Sequence, residues 1–348
     1  MALFNKVASF SDIHFGEDGD SKYHNELCIS YIKWFIDQCK ENDVDLIIFM
    51  GDWHHARSKV GSETLKYSYK GTKLLNECGI PVLFLIGNHD LFYRENRSVH
   101  SLPWLYEMDN ITVIDDPTVM DDVLLVPWLV ESDDLKQIAN VKVKYAFGHF
   151  ELPGFLMNEK YAFPDKEGIL KSEDMDHLEY VFSGHFHARQ KRTMKSGCEI
   201  HYIGNPFPHD FNDVNDRERG MMILEYDNKP QYINWPDAPY YEKLTLSQLL
   251  EQPEKFDNNS HIKVIQDVEM TSTEKDELRQ TLLENFGIVH VSIEPDRTKD
   301  KDGNQIVSED DEVSDIENVE LYVVNWITEN EATRKDRMIE LFTKAQAI

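Results

Sequence analysis

Apolar residues in this chain come in short unbroken runs, and five of the runs end alike: a small residue, then a cluster of Asp, Asn or His. They are VASFSDIH (7 to 14), LIIFMGDWHH (46 to 55), VLFLIGNHD (82 to 90), YAFGHFE (145 to 151) and YVFSGHFH (180 to 187). Continuous apolar runs of this length, bounded by Gly and polar residues, predict strands buried on both faces. Between the first two, residues 23 to 40 place Cys28, Tyr31, Ile32, Phe35, Ile36 and Cys39 at steps of three and four, the spacing of an amphipathic crossover helix. Residues 62 to 78 predict a second helix, with Leu65, Tyr69, the Lys73 stem and Leu74 or Leu75 on its apolar side and Gly79-Ile80-Pro81 as its stop. Strands alternating with helices imply a largely parallel sheet. Loops at the carboxyl ends of such strands gather on one rim, so the five clusters converge there.

After His187 the pieces ARQKRTM, CEIHYIG, RGMMILEYD and QYINWP predict antiparallel strands that complete a second sheet. Two prolines, in Pro236-Asp237-Ala238-Pro239, mark a boundary. The chain therefore divides into a domain over 1–236 and a smaller α/β domain over 240–295, the latter built from YYEKLTL, SQLLEQPE, HIKVIQDV, STEKDELRQTLLENF and IVHVSIEP. Residues 296–318 are charged, polar and without period, which predicts a flexible linker. Residues 319–348 regain helical spacing, with Leu321, Val324 and Ile327 on one piece and Met338, Leu341, Phe342 and Ala345 on the other. An apolar helix pair at the end of a linker fits docking on a partner, against the alternative of packing on its own domain.

The rim residues carry the chemistry. His185 and His187 stand two apart, and in an extended chain they would aim at one point. The convergent set of Asp12, His14, Asp52, Asn88, His149, His185 and His187 offers carboxylate, imidazole and amide oxygen, and no thiolate. That mixture suits manganese, iron or zinc, with manganese favoured where hard oxygen ligands join imidazole. Seven ligands exceed what one ion needs. Two divalent ions sharing a carboxylate fit better, and such a pair is the recurrent device for in-line displacement at phosphorus. The four cysteines show no C-x-x-C. Cys28 and Cys39 on one helix would stand ~16 Å apart, beyond disulfide reach, and read as buried thiols of a reducing compartment.

Taken in order, D-x-H, G-D-x-x-H, G-N-H-D, G-H and G-H-x-H resemble the motifs of the calcineurin-like metallophosphoesterases, and the match spans residues 7 to 187. His55 stands where phosphatases of the family commonly carry aspartate, which looks like the nuclease branch, the SbcD subunit of SbcC–SbcD-type DNA repair complexes. The stretches GHFELPGF (148 to 155) and YIGNPFPHDFNDVNDRERGMMILEYD (202 to 227) look like the recombination nuclease subunit of T-even-like phages. The resemblance implies an α/β fold: a two-layer β-sandwich with flanking helices, a small α/β capping domain and a C-terminal helical tail. It implies Asp12, His14 and His187 on one metal, Asn88, His149 and His185 on the other, and Asp52 as the bridge. His89 would contact the scissile phosphate, Asp90 would hold its other ring nitrogen, and His55 would be the second substrate-side histidine. His54 is given no role and reads as structural or solvent-facing.

The resemblance further implies a metal-dependent DNA exonuclease and endonuclease of repair, recombination and replication, using two manganese ions, with magnesium as the other candidate. Its partners would be DNA and the coiled coil of an SbcC-type ATPase, reached through the terminal helices, and a homodimer is compatible with this. A small-molecule phosphodiesterase or phosphomonoesterase of the same fold is the rival reading. Composition complicates the DNA reading: 64 acidic against 36 basic residues give a formal charge of −28, whereas DNA-binding surfaces are usually basic. Local basic groups at Arg57, Lys59, Arg189, Lys191 and Arg192 are the candidate phosphate contacts, and the ATPase would supply much of the DNA grip. The absence of a long apolar stretch, and a start without a secretory signal, predict a cytoplasmic chain, in a bacterial host if the phage likeness holds.

Overall fold

The five apolar runs form β1 (Lys6–Phe10), β2 (Leu46–Met50), β3 (Val82–Leu85), β7 (Tyr145–His149) and β8 (Tyr180–Gly184). In this computed structural model the described residues are 2–295 apart from 131, 139–140, 158–160, 166–169, 215, 252–258 and 287. The expected linker and terminal helices lie outside them. The five strands do not share one sheet: β1, β2 and β3 belong to one, β7 and β8 to another. The first sheet runs β12 (Gln231–Asn234), β11 (Gly220–Glu225), β1, β2, β3, β4 (Ile111–Ile114), and the second runs β5 (Thr118–Met120), β6 (Val123–Val126), β7, β8, β10 (Glu199–Tyr202), β9 (Gln190–Thr193). Strands β1 to β4 are mutually parallel, as are β6, β7, β8 and β10.

The pieces after His187 depart from expectation. β9 and β10 do enter the second sheet, but β11 and β12 extend the first, with β11 antiparallel to β1 and Ala8 opposite Ile223. Which edge a strand joins is decided by tertiary pairing, and the alternation within the strand does not encode it.

Side chains alternate between two cores. Leu46, Ile48 and Met50 of β2 pack between the sheets with Val7, Leu85, Phe147, Phe182 and Met222. Ile47 and Phe49 point the other way, into the layer shared with the helices. This is the period-two pattern of strands covered on both faces. Helix Lys22–Glu41 buries Cys28, Tyr31, Ile32, Phe35, Ile36 and Cys39, the stripe its spacing predicts. All four cysteines are free and buried.

Helix Ser62–Asn76 is rotated from its expected setting. Leu65 and Tyr69 are exposed, whereas Thr64, Ser68, Gly71, Thr72 and Leu75 face inward. The reason is close packing: a Cβ on Gly71 would lie 2.9 Å from both Ile32 Cδ1 and Trp53 Cζ2, and the Trp53 indole N–H donates to Ser68 Oγ at 2.8 Å. Small residues let this helix approach a tryptophan, and the larger apolar residues are left on the outer side.

A third sheet of β13 (Tyr240–Thr245), β14 (Ser260–Gln266) and β15 (His290–Pro295) follows. Helices Leu246–Glu251 and Ser272–Asn285 accompany it, the second opened by a Thr271/Glu274 capping box. Leu246, Leu249, Ile262, Val264, Leu282, Ile288 and Val291 give it an apolar core of its own. Among the described residues no helix is long and apolar enough to cross a membrane.

Candidate metal centre

Every candidate ligand lies just past, or at the end of, a strand. The backbone there is held in unusual conformations: Asp12 (φ 55°), His14 (49°), Asp52 (60°) and His185 (85°) all sit in the left-handed region. Non-glycine residues rarely adopt it, and when several cluster, the surrounding bonds must hold them there. Asp12 N donates to the Gly51 carbonyl at 3.0 Å, His14 N to the Asp52 carbonyl at 3.2 Å and Phe15 N to the Trp53 carbonyl at 2.8 Å, so the loops after β1 and β2 run side by side. The Asp12 carboxylate accepts the backbone N–H of His185 at 3.0 and 3.1 Å, which ties the first sheet to the second. Two glycines permit the crowding. A Cβ on Gly51, itself at φ 95°, would lie 2.6 Å from His149 Nδ1, and one on Gly184 would lie 1.9 Å from Ser11 Oγ.

The result is two triads. Ligand atoms of Asp12, His14 and His187 come within 4.8 Å of one another, and so do those of Asp52, His149 and His185. Asp52 Oδ2 stands between them, 3.2 Å from His149 Nε2 and 3.8 Å from His14 Nε2. The left-handed turn at His185 sends that ring away from His187, so the two histidines face different triads and the one-point aim of an extended H-x-H is corrected. A third set of converging rings, His14, His55 and His89, lies beside them.

Protons and lone pairs around the second triad are unbalanced. His149 Nδ1 donates to the Met50 carbonyl at 2.7 Å, which turns Nε2 inward. His185 Nε2 donates to Glu151 at 3.3 Å, which turns Nδ1 inward. Both inward nitrogens face Asn88 Oδ1, at 2.8 and 3.2 Å. Converging acceptors of this kind are reconciled by a metal cation among them, by a proton on His149 or by a reversal of the amide. Reversed, its NH2 faces His149, His185 and Asp52, and its oxygen accepts from Arg57 Nη2 at 2.9 Å. In the first triad His14 is buried, and neither of its ring nitrogens has a hydrogen-bond partner among the described residues. Burial and the neighbouring imidazoles hold its pKa well down, so the ring is neutral with a lone pair to offer. Burial pushes Asp52 up, but the His149, His89 and His185 rings outweigh it and keep Asp52 a carboxylate. Burial likewise pushes His149 down, and the Asp52 charge outweighs that, so positive charge is favoured at this point. Imidazole, carboxylate and amide oxygen arranged in this way fit two divalent ions.

Residues 6–189 match the calcineurin-like phosphoesterases, more than half of the chain. The chain belongs to that family. Members are metal-dependent hydrolases of phosphate esters, and the two triads lie within the matched region. The chain is 26% identical over 249 residues to exonuclease subunit 1 of Enterobacteria phage T4, covering 68% of this chain and 70% of that one. Among solved structures, a dimetal phosphatase from Danio rerio overlaps 66% of this chain and 95% of its own at 12% identity and a TM-score of 0.40. Pseudomonas putida nuclease MPE overlaps 42% of this chain and 62% of its own at 22% identity and a TM-score of 0.29.

Several expected roles in this phosphoesterase change. Asp90 does not hold the ring of His89. Its Oδ1 accepts the N–H groups of Trp53 and His54, and its Oδ2 those of Asp52 and Gly87, at 3.0–3.1 Å. All four lone-pair positions are filled, and the carboxylate staples the GDWHH loop to the GNHD loop. The partner of His89 Nδ1 is the His55 carbonyl, at 2.5 Å. His54 is structural, buried between Ser101 Oγ at 2.6 Å and Ser68 Oγ at 2.7 Å.

Of the basic candidates, Arg189 stacks on Tyr232 and donates to Asn234, and Arg192 lies over Phe155 and donates to the Gly154 and Pro153 carbonyls. Both guanidinium groups thus also make contacts within the fold. Arg57 is beside Asn88, Lys59 is exposed, and Lys191 lies 3.8 Å from Glu199.

Four residues of the centre escape sequence reasoning. Glu17 pairs with the His55 ring, Glu151 orients His185, and buried Arg219 donates to the His187 carbonyl and pairs with Asp213. The fourth, His209, packs its ring against His14 and His187. Glu151 ends the GHFE run and Glu17 stands three residues after His14. Position beside a motif is the available signal for those two.

Proposed function

We propose that this phosphoesterase is a two-metal DNA nuclease that works as the catalytic subunit of a complex with an SbcC-type ATPase. The observation that carries the reading is the pair of triads on either side of Asp52 Oδ2. Asp12, His14 and His187 would hold one ion, Asn88, His149 and His185 the other, and Asp52 would touch both. When bound, divalent ions supply Lewis acidity toward the phosphate oxygens and lower the pKa of water enough for a nucleophile at neutral pH; manganese is the favoured ion and magnesium the second candidate.

The chain's own residues do the rest. His89 donates Nδ1–H to the His55 carbonyl, which leaves Nε2 on the side of His14, with ring centroids 4.7 Å apart. From there it can bond a phosphate oxygen and assist the leaving oxygen. Glu17 orients the His55 ring beside it. No cysteine nucleophile is required: all four cysteines are buried, and burial pushes those thiols up.

DNA as substrate is favoured by the likeness to a phage exonuclease subunit. The charge of −28 opposes tight binding by the chain alone, which fits a partner that grips the DNA, docked on residues 319–348. The test is cleavage of end-labelled duplex DNA by the purified chain with manganese or magnesium, with and without the co-expressed ATPase, beside a small diester such as bis-p-nitrophenyl phosphate. Manganese-dependent degradation that the ATPase stimulates supports the reading. Rapid small-ester turnover with no DNA cleavage under any condition would favour a small-molecule phosphoesterase.

A further inference from the structure

The loop between β10 and β11 carries a histidine that the two triads do not use. His209 is 6% exposed, and neither of its ring nitrogens has a hydrogen-bond partner among the described residues. Its backbone is fixed from both directions: its N–H donates to Asp213 Oδ2 at 3.0 Å, and its carbonyl accepts the Tyr241 hydroxyl at 2.8 Å. Asp213 in turn pairs with Arg219, whose guanidinium donates to the His187 carbonyl. One frame therefore positions both His187 and His209.

The ring goes where that frame sends it. Its centroid lies 5.5 Å from His14, 5.4 Å from His187 and 5.0 Å from His24. A phenylalanine would fill the same space without bringing two polar atoms out of water, and buried polar atoms without partners are rare and costly. His24 shares the pocket and shows the usual solution, donating Nε2–H to the Ile13 carbonyl at 3.2 Å. His14 shares the unusual state of His209, with neither ring nitrogen hydrogen-bonded among the described residues. Two adjacent buried imidazoles left open in this way call for a ligand that the polypeptide does not supply.

Resting on the two-ion reading above, we propose that His209 is a further imidazole of the metal position formed by Asp12, His14 and His187. Its ring packs against those of His14 and His187, and it would strengthen metal binding there as a hydrogen-bonding group in the layer around the ligands. Partners in this outer layer typically change metal affinity by about 10–100-fold.

The test is metal binding itself, measured by calorimetric titration and by equilibrium dialysis with elemental analysis. Wild-type, His209→Phe and His209→Gln chains are compared in manganese, together with the melting temperature of each metal-free protein. Expected for His209→Phe is an affinity about tenfold or more weaker for one ion, the other unchanged, with a metal-free melting temperature equal to or above wild type. His209→Gln, which keeps a polar group, should recover part of the loss. Wild-type affinity for both ions in His209→Phe overturns the proposal and makes His209 a packing residue. Fewer than two ions on the wild-type chain overturns the two-ion reading and this proposal with it. If His209→Phe does not fold, ¹⁵N-histidine spectra of the wild-type chain decide: a shift of the His209 ring nitrogens on adding zinc supports the role, and unchanged resonances at saturation overturn it.

Discussion

His89 points its Nδ1 proton at the backbone carbonyl of His55, 2.5 Å away, so the ring is oriented by main chain and not by the neighbouring Asp90 carboxylate. The two side chains of the GNHD loop thereby part company: the His89 ring lies beside those of His14 and His55, and the Asp90 carboxylate faces backbone N–H groups. This division yields two contrasting expectations.

Substituting His89 by Gln should leave both metal positions filled while turnover falls by about 10²–10⁴-fold, the range for a positioned acid–base or charge-stabilising group. Elemental analysis of the purified variant, beside single-turnover cleavage, checks this. Loss of an ion in that variant would make His89 a ligand, as its place in the His14, His55, His89 set permits.

Substituting Asp90 by Asn should act on the fold. The amide turns an NH2 toward two of the four backbone N–H groups that the carboxylate now satisfies. Each N–H left unpaired costs about 1–3 kcal/mol. The expected result is a markedly lower melting temperature together with weakened metal binding, because the stapled loops carry Asp52 and Asn88. A variant as stable as wild type but catalytically slow would restore the view that Asp90 acts through His89.

Much of this site is legible in the sequence, since a strand that ends in a small residue and a polar cluster announces both the buried strand and the loop beyond it. Asp12, His14, Asp52, Asn88, His149, His185 and His187 do come together. What escapes is whatever depends on partners distant in sequence. The four N–H groups on Asp90 come from two loops, and Arg189 meets Asn234 45 residues away. His209 lies in PFPHDF, where no period marks a buried position. The inward face of helix Ser62–Asn76 is hidden from a hydrophobicity pattern because Ser68, Gly71 and Thr72 are polar or neutral, although their small size lets the helix approach Trp53.

The third sheet carries a pH dependence of its own. Burial lowers the His261 ring from 6.5 to about 4, where it stacks 4.4 Å from Tyr241. Below pH 6.5 the unfolded chain takes up this proton and the folded one does not, so stability is complete above that value and is lost as pH falls from 6.5 toward 4. Over that window the loss is on the order of a few kcal/mol. His261→Phe should flatten the acid limb of a thermal-stability profile between those pH values, and an unchanged slope would contradict the assignment.

Truncation after Glu317 should leave the metal centre and basal manganese-dependent cleavage intact, because the seven proposed ligands and His209 all precede residue 210. On the proposed docking role, co-purification with an SbcC-type ATPase and stimulation by ATP should vanish once Leu321, Val324, Ile327, Leu341 and Phe342 are removed. Pull-down and thermal unfolding on the same truncated chain separate this from the alternative that the segment packs on its own domain. That alternative predicts a lower melting temperature and little change in partner binding.

In the proposed centre Asp52 joins two metal positions. Anomalous diffraction from crystals equilibrated with manganese tests it most directly. Two difference peaks roughly 3.5–4 Å apart, one beside His14 and His187 and the other beside Asn88, His149 and His185, with Asp52 Oδ2 touching both, are what the two triads predict. A single peak at saturating manganese, or two peaks that Asp52 does not bridge, would contradict it.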